Sequence, residues 1–181
     1  MKTISWADVR ALESDIAQRI PSFKVCYKDS SRFQKVIGRL LSPINRDYMT
    51  RYTTVMFGRV YFPSKAFCEE MGPAAMYSIL RHEAIHLDDM RRFPGVFQLT
   101  YLCVLPVGIT ARAFWEWRAY AETMRVEAEL TGRISDETIE YITECFRGSD
   151  YGFMLPFPRW VRSRLMKLRC RILEDLDTDS Q

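Results

Sequence analysis

The sequence predicts an α+β fold, mostly helical, with one small β-sheet, in a single domain spanning residues 1–181. Three observations predict it. Apolar residues recur at spacings of three, four and seven over Met76–Met90, the period of a helix with one buried face, and several further segments read as helices. One segment, Arg51–Pro63, instead carries a dense run of β-branched and aromatic residues, the composition of strands. A chain of 181 residues with 48% hydrophobic and 13% aromatic content is long and apolar enough for a proper core, and no repeat or low-complexity linker divides it.

The elements follow in order. Residues 4–19 read as an amphipathic helix, Ser22–Tyr27 as a short strand, and Ser30–Leu41 as a second helix closed by Ser42-Pro43. A hairpin is expected over 50–62, with Gly58 at a turn or bulge and Pro63 ending it. Gly72-Pro73 then opens a helix of about 18–20 residues, since proline is tolerated in a helix's first turn. Its buried stripe is Met76, Ile79, Leu80, Leu87 and Met90. Arg91 and Arg92 complement the dipole at its end, and Phe93-Pro94-Gly95 stops it. The apolar stretch near 97–110 is about a dozen residues, too short for a bilayer, and reads as a buried helix or a lid.

A strong helical segment covers about 109–131, and another about 135–146, opened by Ser135 with Glu137 and Thr138 in its first turn. Gly148–Gly152 reads as a turn, and Phe157-Pro158 leads into the last helix. There Arg159, Arg162, Arg164, Lys167, Arg169 and Arg171 alternate with Val161, Leu165, Met166 and Leu168. That is an amphipathic helix with a solvated basic face, followed by the acidic run Glu174–Asp179, with a partner or membrane-surface role as the alternative reading.

Charge and cysteine content exclude several classes. A net charge of +3 is too modest for a nucleic-acid partner. Five cysteines, an odd number without C-x-x-C spacing, read as reduced thiols. Met1–Trp6 leads into a helix rather than a secretory signal, so a cytoplasmic location is expected, with no transmembrane segment.

The chemistry concentrates at one place. The chain has two histidines, both in His82-Glu83-Ala84-Ile85-His86, the pattern H-E-x-x-H. Four residues is just over one helical turn, so both imidazoles leave the same face, a geometry suited to zinc. Glu83 stands beside the metal rather than on it, where a carboxylate can take a proton from a zinc-bound water. The plainer alternative is a histidine pair on an ordinary helix.

Catalytic zinc takes three protein ligands and one open position. With no third histidine, the remaining ligand is a carboxylate or a cysteine. Asp88 and Asp89 lie further along the same helix and are expected to be solvated, or at most to support the ligands from behind, because three side chains strung along one helix rarely converge. Glu116 is the leading candidate, sharing a face with Ala119 and Tyr120, and small Ala119 lets another helix approach. Glu122 and Glu127 remain alternatives. Each glutamate also has an ordinary reading as a solvated residue or a partner for arginine, such as Glu122 with Arg118.

With HEAIH on one helix and Glu116-x-x-Ala119-Tyr120 on another, the chain resembles the gluzincin branch of the zincin metallopeptidases over roughly residues 50–130. The resemblance implies His82, His86 and Glu116 as zinc ligands and Glu83 as general base. It also implies that the two helices pack on a small twisted sheet whose edge strand holds an extended peptide substrate, with Arg51–Pro63 as the counterpart. Several gluzincins carry an aspartate four residues after the ligand glutamate, to orient a ligand histidine; here that place is Tyr120. His86-Leu87-Asp88 is also similar to peptide deformylases, but the upstream cysteine pattern of those enzymes is missing around Cys68.

The expected activity is zinc-dependent hydrolysis of an amide bond in a peptide or protein, with Glu83 shuttling the proton. Tyr151, Tyr141 and Arg118 are conceivable donors to the oxyanion, but nothing in the sequence selects one, and a structural role for each is the favoured reading. Two other classes compete with it: a catalytically inactive zinc-bound fold acting as a binding or regulatory module, and a helical domain without metal.

Overall fold

The computed structural model describes residues 3–43, 45–102, 111–148 and 154–179. It is mostly helical with a three-stranded sheet, the expected α+β class. Its contacts divide into two compact units, Ile4–Leu87 and a second from Asp88 onwards.

In the first unit, helix α1 (Trp6–Arg19) begins with a reciprocal cap. Ser5 N–H donates to Asp8 at 2.8 Å, and Asp8 N–H donates back to Ser5 Oγ at 3.4 Å. Strand β1 (Lys24–Tyr27) follows, then helix α2 (Arg32–Leu41), capped by Ser31 Oγ accepting from Gln34 N–H. Strands β2 (Thr54–Met56) and β3 (Arg59–Phe62) form the expected hairpin. Phe57 and Gly58 both adopt positive φ at its tip, 53° and 76°, the backbone of a tight two-residue turn.

The sheet order is β1-β3-β2, with β1 parallel and β2 antiparallel to β3. The Arg51–Pro63 segment, which reads equally as a substrate-pairing edge or as an ordinary core hairpin, is therefore divided in role. β3, which feeds the motif helix, is the central strand, with Val60 and Phe62 fully buried. The sheet edges are β1 and β2. Strand order depends on the parallel pairing of β1 with β3, a contact between segments far apart in sequence that no local pattern announces.

Lys28 continues the β1–β3 pairing through its N–H to Phe62 O at 2.8 Å. Its side chain is fully buried. The ammonium donates to Tyr48 O at 2.6 Å and lies 3.8 Å from the Tyr48 ring centroid, while Tyr48 O–H donates to buried Gln34 Oε1 at 2.6 Å.

Helix α3 (Lys65–Arg92) closes the first unit and opens the second, since the boundary falls inside it. It is broken at Gly72 (φ 79°, ψ 169°), so Pro73 starts a fresh 73–92 helix, as the sequence predicts. The turns over 65–71 are additional, and Ser64 Oγ accepts from Phe67 N–H at 3.0 Å to start them.

The second unit holds the last turn of α3, then α4 (Val96–Leu102), α5 (Ala111–Thr131), α6 (Asp136–Arg147) and α7 (Pro158–Asp179). α5 ends at Gly132 in the left-handed region (φ 76°), whose N–H returns to Ala128 O at 2.8 Å. α6 starts on Ser135 Oγ, which accepts from Thr138 N–H at 3.2 Å. The core joins Tyr120 and Met124 of α5, Ile139, Ile142 and Phe146 of α6, and Val161, Leu165 and Ile172 of α7. Each such side chain contributes about 1.5–3 kcal/mol by leaving water. The basic face of α7 is only partly solvated, because Arg169 pairs with Asp136 at 2.7 Å and Arg162 approaches Glu140 at 3.9 Å.

The apolar stretch near 97–110 is helical in its first part, α4; 103–110 lies outside the described residues, as do 149–152 of the expected turn. Among the described residues, no helix is long and apolar enough to cross a membrane.

Candidate metal centre

The 73–92 part of α3 buries Met76, Leu80, Ala84 and Leu87 along one stripe. This fixes the helix's rotation, and hence the direction of the residues between. His82 and Glu83 are half-buried and His86 is buried. The two imidazole centroids lie 5.1 Å apart and nearly perpendicular, at 78°. One turn of separation therefore does bring both rings to the same side.

Glu116 lies on α5 and is 1% exposed, flanked by buried Trp115, Ala119 and Tyr120. A buried carboxylate is costly without donors. Tyr101 of α4 supplies one, its O–H donating to Glu116 Oε1 at 2.5 Å. Arg112 Nε lies 4.0 Å from the same oxygen, and its guanidinium sits 4.9 Å from the Tyr101 ring centroid. Trp115 Nε1–H donates to Thr100 Oγ1 at 3.1 Å, a second tie between α4 and α5. The apolar stretch read as a buried helix or a lid thus carries the residue that holds the carboxylate. No spacing rule marks Tyr101; only the packing of α4 against α5 reveals it.

One ligand atom each from His82, His86 and Glu116 lies within 4.8 Å of the others. Two imidazole nitrogens and a carboxylate oxygen are the donor set of a catalytic zinc site. Zinc bonds of 2.0–2.1 Å define a tetrahedron with an edge of about 3.3 Å, so the three atoms would have to draw closer to hold such an ion.

The rival glutamates have other partners. Glu122 pairs with Arg125 at 2.8 Å, an arginine partner on its own helix as its ordinary reading has it. Glu127 Oε1 accepts from Ser135 N–H at 3.1 Å, bracing the entry to α6. Asp89 is not solvated: it is 1% exposed and ion-paired with Arg118. The reason is tertiary, because Arg118 arrives from α5. This pairing gives Arg118 a structural role, the reading set beside that of oxyanion donor. Tyr141 is 59% exposed, with its ring 6.4 Å from that of Tyr120, and Tyr151 lies outside the described residues. Tyr120, standing where several gluzincins have aspartate, is buried with its ring 5.8 Å from Phe146.

Lys28 adds an electrostatic feature that sequence reading missed. Burial pushes its ammonium pKa down to about 7, and the Glu83 carboxylate opposes that shift. A lysine in a short strand gives no sign in the sequence that it is buried.

Compared with known proteins, the chain matches no family model, no curated protein and no solved structure.

Proposed function

We propose that the chain is a metallopeptidase of the gluzincin type, in which His82, His86 and Glu116 hold one zinc ion and Glu83 serves as general base for hydrolysis of an amide bond in a peptide or protein. The observation that carries this reading is the approach of the three ligand atoms to within 4.8 Å. The donor chemistry agrees, as does the burial of Glu116 with a tyrosine hydroxyl on one of its oxygens.

When bound, zinc supplies a Lewis acid that polarises the scissile carbonyl and acidifies water. The remaining work belongs to the chain. Glu83, next to a ligand and half-exposed, accepts a proton from the attacking water and delivers it to the departing nitrogen. Tyr101 holds Glu116 in one orientation. β2, at a sheet edge, offers backbone groups for an extended peptide to pair with. A zincin-like arrangement of helices on sheet is part of this proposal.

The test is Glu83→Gln assayed beside the unmodified protein on a peptide library, with zinc content measured for both. Zinc retained and turnover reduced about 10²–10⁴-fold is the expected result. Normal cleavage by the variant removes Glu83 from the role of base. Stoichiometric zinc without cleavage by the unmodified protein makes the chain a metal-binding module.

A further inference from the structure

Helix α2 presents an apolar ridge that the first unit leaves uncovered. Phe33, Val36 and Leu40 occupy one face at spacings of three and four, and are 50%, 54% and 74% exposed. Phe57, at the tip of the β2–β3 turn, is 73% exposed and extends the ridge, its ring 6.1 Å from that of Phe33.

The helix cannot roll to bury these residues. Its inner side is set by Gln34, fully buried and bonded to Tyr48 O–H, and by Gly38, where an added Cβ would come within 2.6 Å of Met49 Cγ. The ridge is thus a fixed feature of the surface.

Its surroundings are strongly basic. Arg32, Lys35 and Arg39 each precede a ridge residue by one position, which places an exposed cationic stripe about 100° around the helix from it. α2 contains no acidic residue. Across residues 24–62 the exposed basic side chains are Lys24, Arg32, Lys35, Arg39, Arg46, Arg51 and Arg59, against only Asp29 and Asp47. The whole chain is nearly balanced, with 26 basic and 23 acidic residues, so this segment holds a local excess of positive charge. Large apolar side chains beside a cationic stripe are the pattern of helices that lie in a membrane interface, with the apolar face among the acyl chains and the cations at anionic headgroups. A partner helix would instead require a groove, whereas these residues project.

We propose that the α2 ridge with Phe57 docks the protein on an anionic lipid bilayer. The surface is independent of the metal centre, so His82→Ala leaves docking unchanged.

The experiment is co-sedimentation with phosphatidylcholine–phosphatidylglycerol vesicles and with pure phosphatidylcholine vesicles, at low and high salt. The protein is expected to bind the anionic vesicles, more weakly as salt rises, and to ignore the neutral ones. Phe33→Ser/Phe57→Ser and Arg32→Gln/Lys35→Gln/Arg39→Gln should each weaken binding about tenfold or more. Circular dichroism should show both folded, since the substituted side chains are exposed. Failure to bind anionic vesicles, equal binding to neutral ones, or full binding by the folded ridge variants would overturn the proposal. So would capture of an acidic peptide by a protein that ignores vesicles.

Discussion

Arg118 in the middle of α5 donates to the buried carboxylate of Asp89, tying the last turn of α3 to α5. Asp89 lies one turn beyond His86 on the same helix, and Arg118 lies two residues beyond Glu116. One ion pair therefore connects the helix that carries the imidazoles with the helix that carries the carboxylate.

Cutting that tie should cost stability. Asp89 is 1% exposed, so Arg118→Met leaves its charge buried without this cation, while the 37% exposure of the Arg118 side chain moderates the loss. A destabilisation of about 1–3 kcal/mol is expected, measured by urea unfolding. Asp89→Asn/Arg118→Met should recover part of it, because no buried charge then remains at that position.

Tyr101→Phe tests how Glu116 is held. The substitution removes only the hydroxyl that donates to Glu116 Oε1. Secondary structure should be unchanged, while zinc affinity in a competition titration falls about tenfold or more, the usual cost of losing a hydrogen bond that orients a metal ligand. Unchanged affinity would make Tyr101 a packing residue alone.

Lys28 makes a pH-dependent contribution with a definite sign. Its folded-state pKa is about 7, below the ordinary 10.5. Between those values the unfolded chain keeps a proton that the folded chain has released, so stability from this group rises with pH across the window. Below pH 7 both states hold the proton and the buried ammonium carries its full desolvation cost. Urea unfolding of the unmodified protein and Lys28→Met from pH 7 to 10 should show the difference moving in favour of the unmodified protein, by at most about 1.4 kcal/mol per pH unit. A flat difference would mean that Lys28 keeps an ordinary pKa.

What could be read from the sequence was local. The 73–92 helix is bounded by Pro73 and by Phe93-Pro94-Gly95, and α6 by Ser135, and each boundary follows from backbone chemistry within a few residues. His82 and His86 share a face for the same reason. The turns over 65–71 were hidden because Gly72-Pro73 looks like a beginning and is in fact a break. What escaped was long-range. Asp89 reads as solvated, or at most as a support to the ligands, until Arg118 arrives from 29 positions away. Tyr101 is one aromatic in an apolar stretch until α4 meets Glu116. The central place of β3 rests on its pairing with β1, across α2 and the residues that follow it. In each case the deciding partner lies in another element.

Zinc affinity of Glu116→Ala beside Glu122→Ala tests the central claim most directly, by equilibrium competition with a chromophoric chelator. The unmodified protein and Glu122→Ala should each bind one ion per chain with similar affinity, and Glu116→Ala should bind at least about 100-fold more weakly. An unmodified protein that takes up no zinc, or a Glu116→Ala variant that binds it as tightly as the unmodified chain, would contradict the assignment.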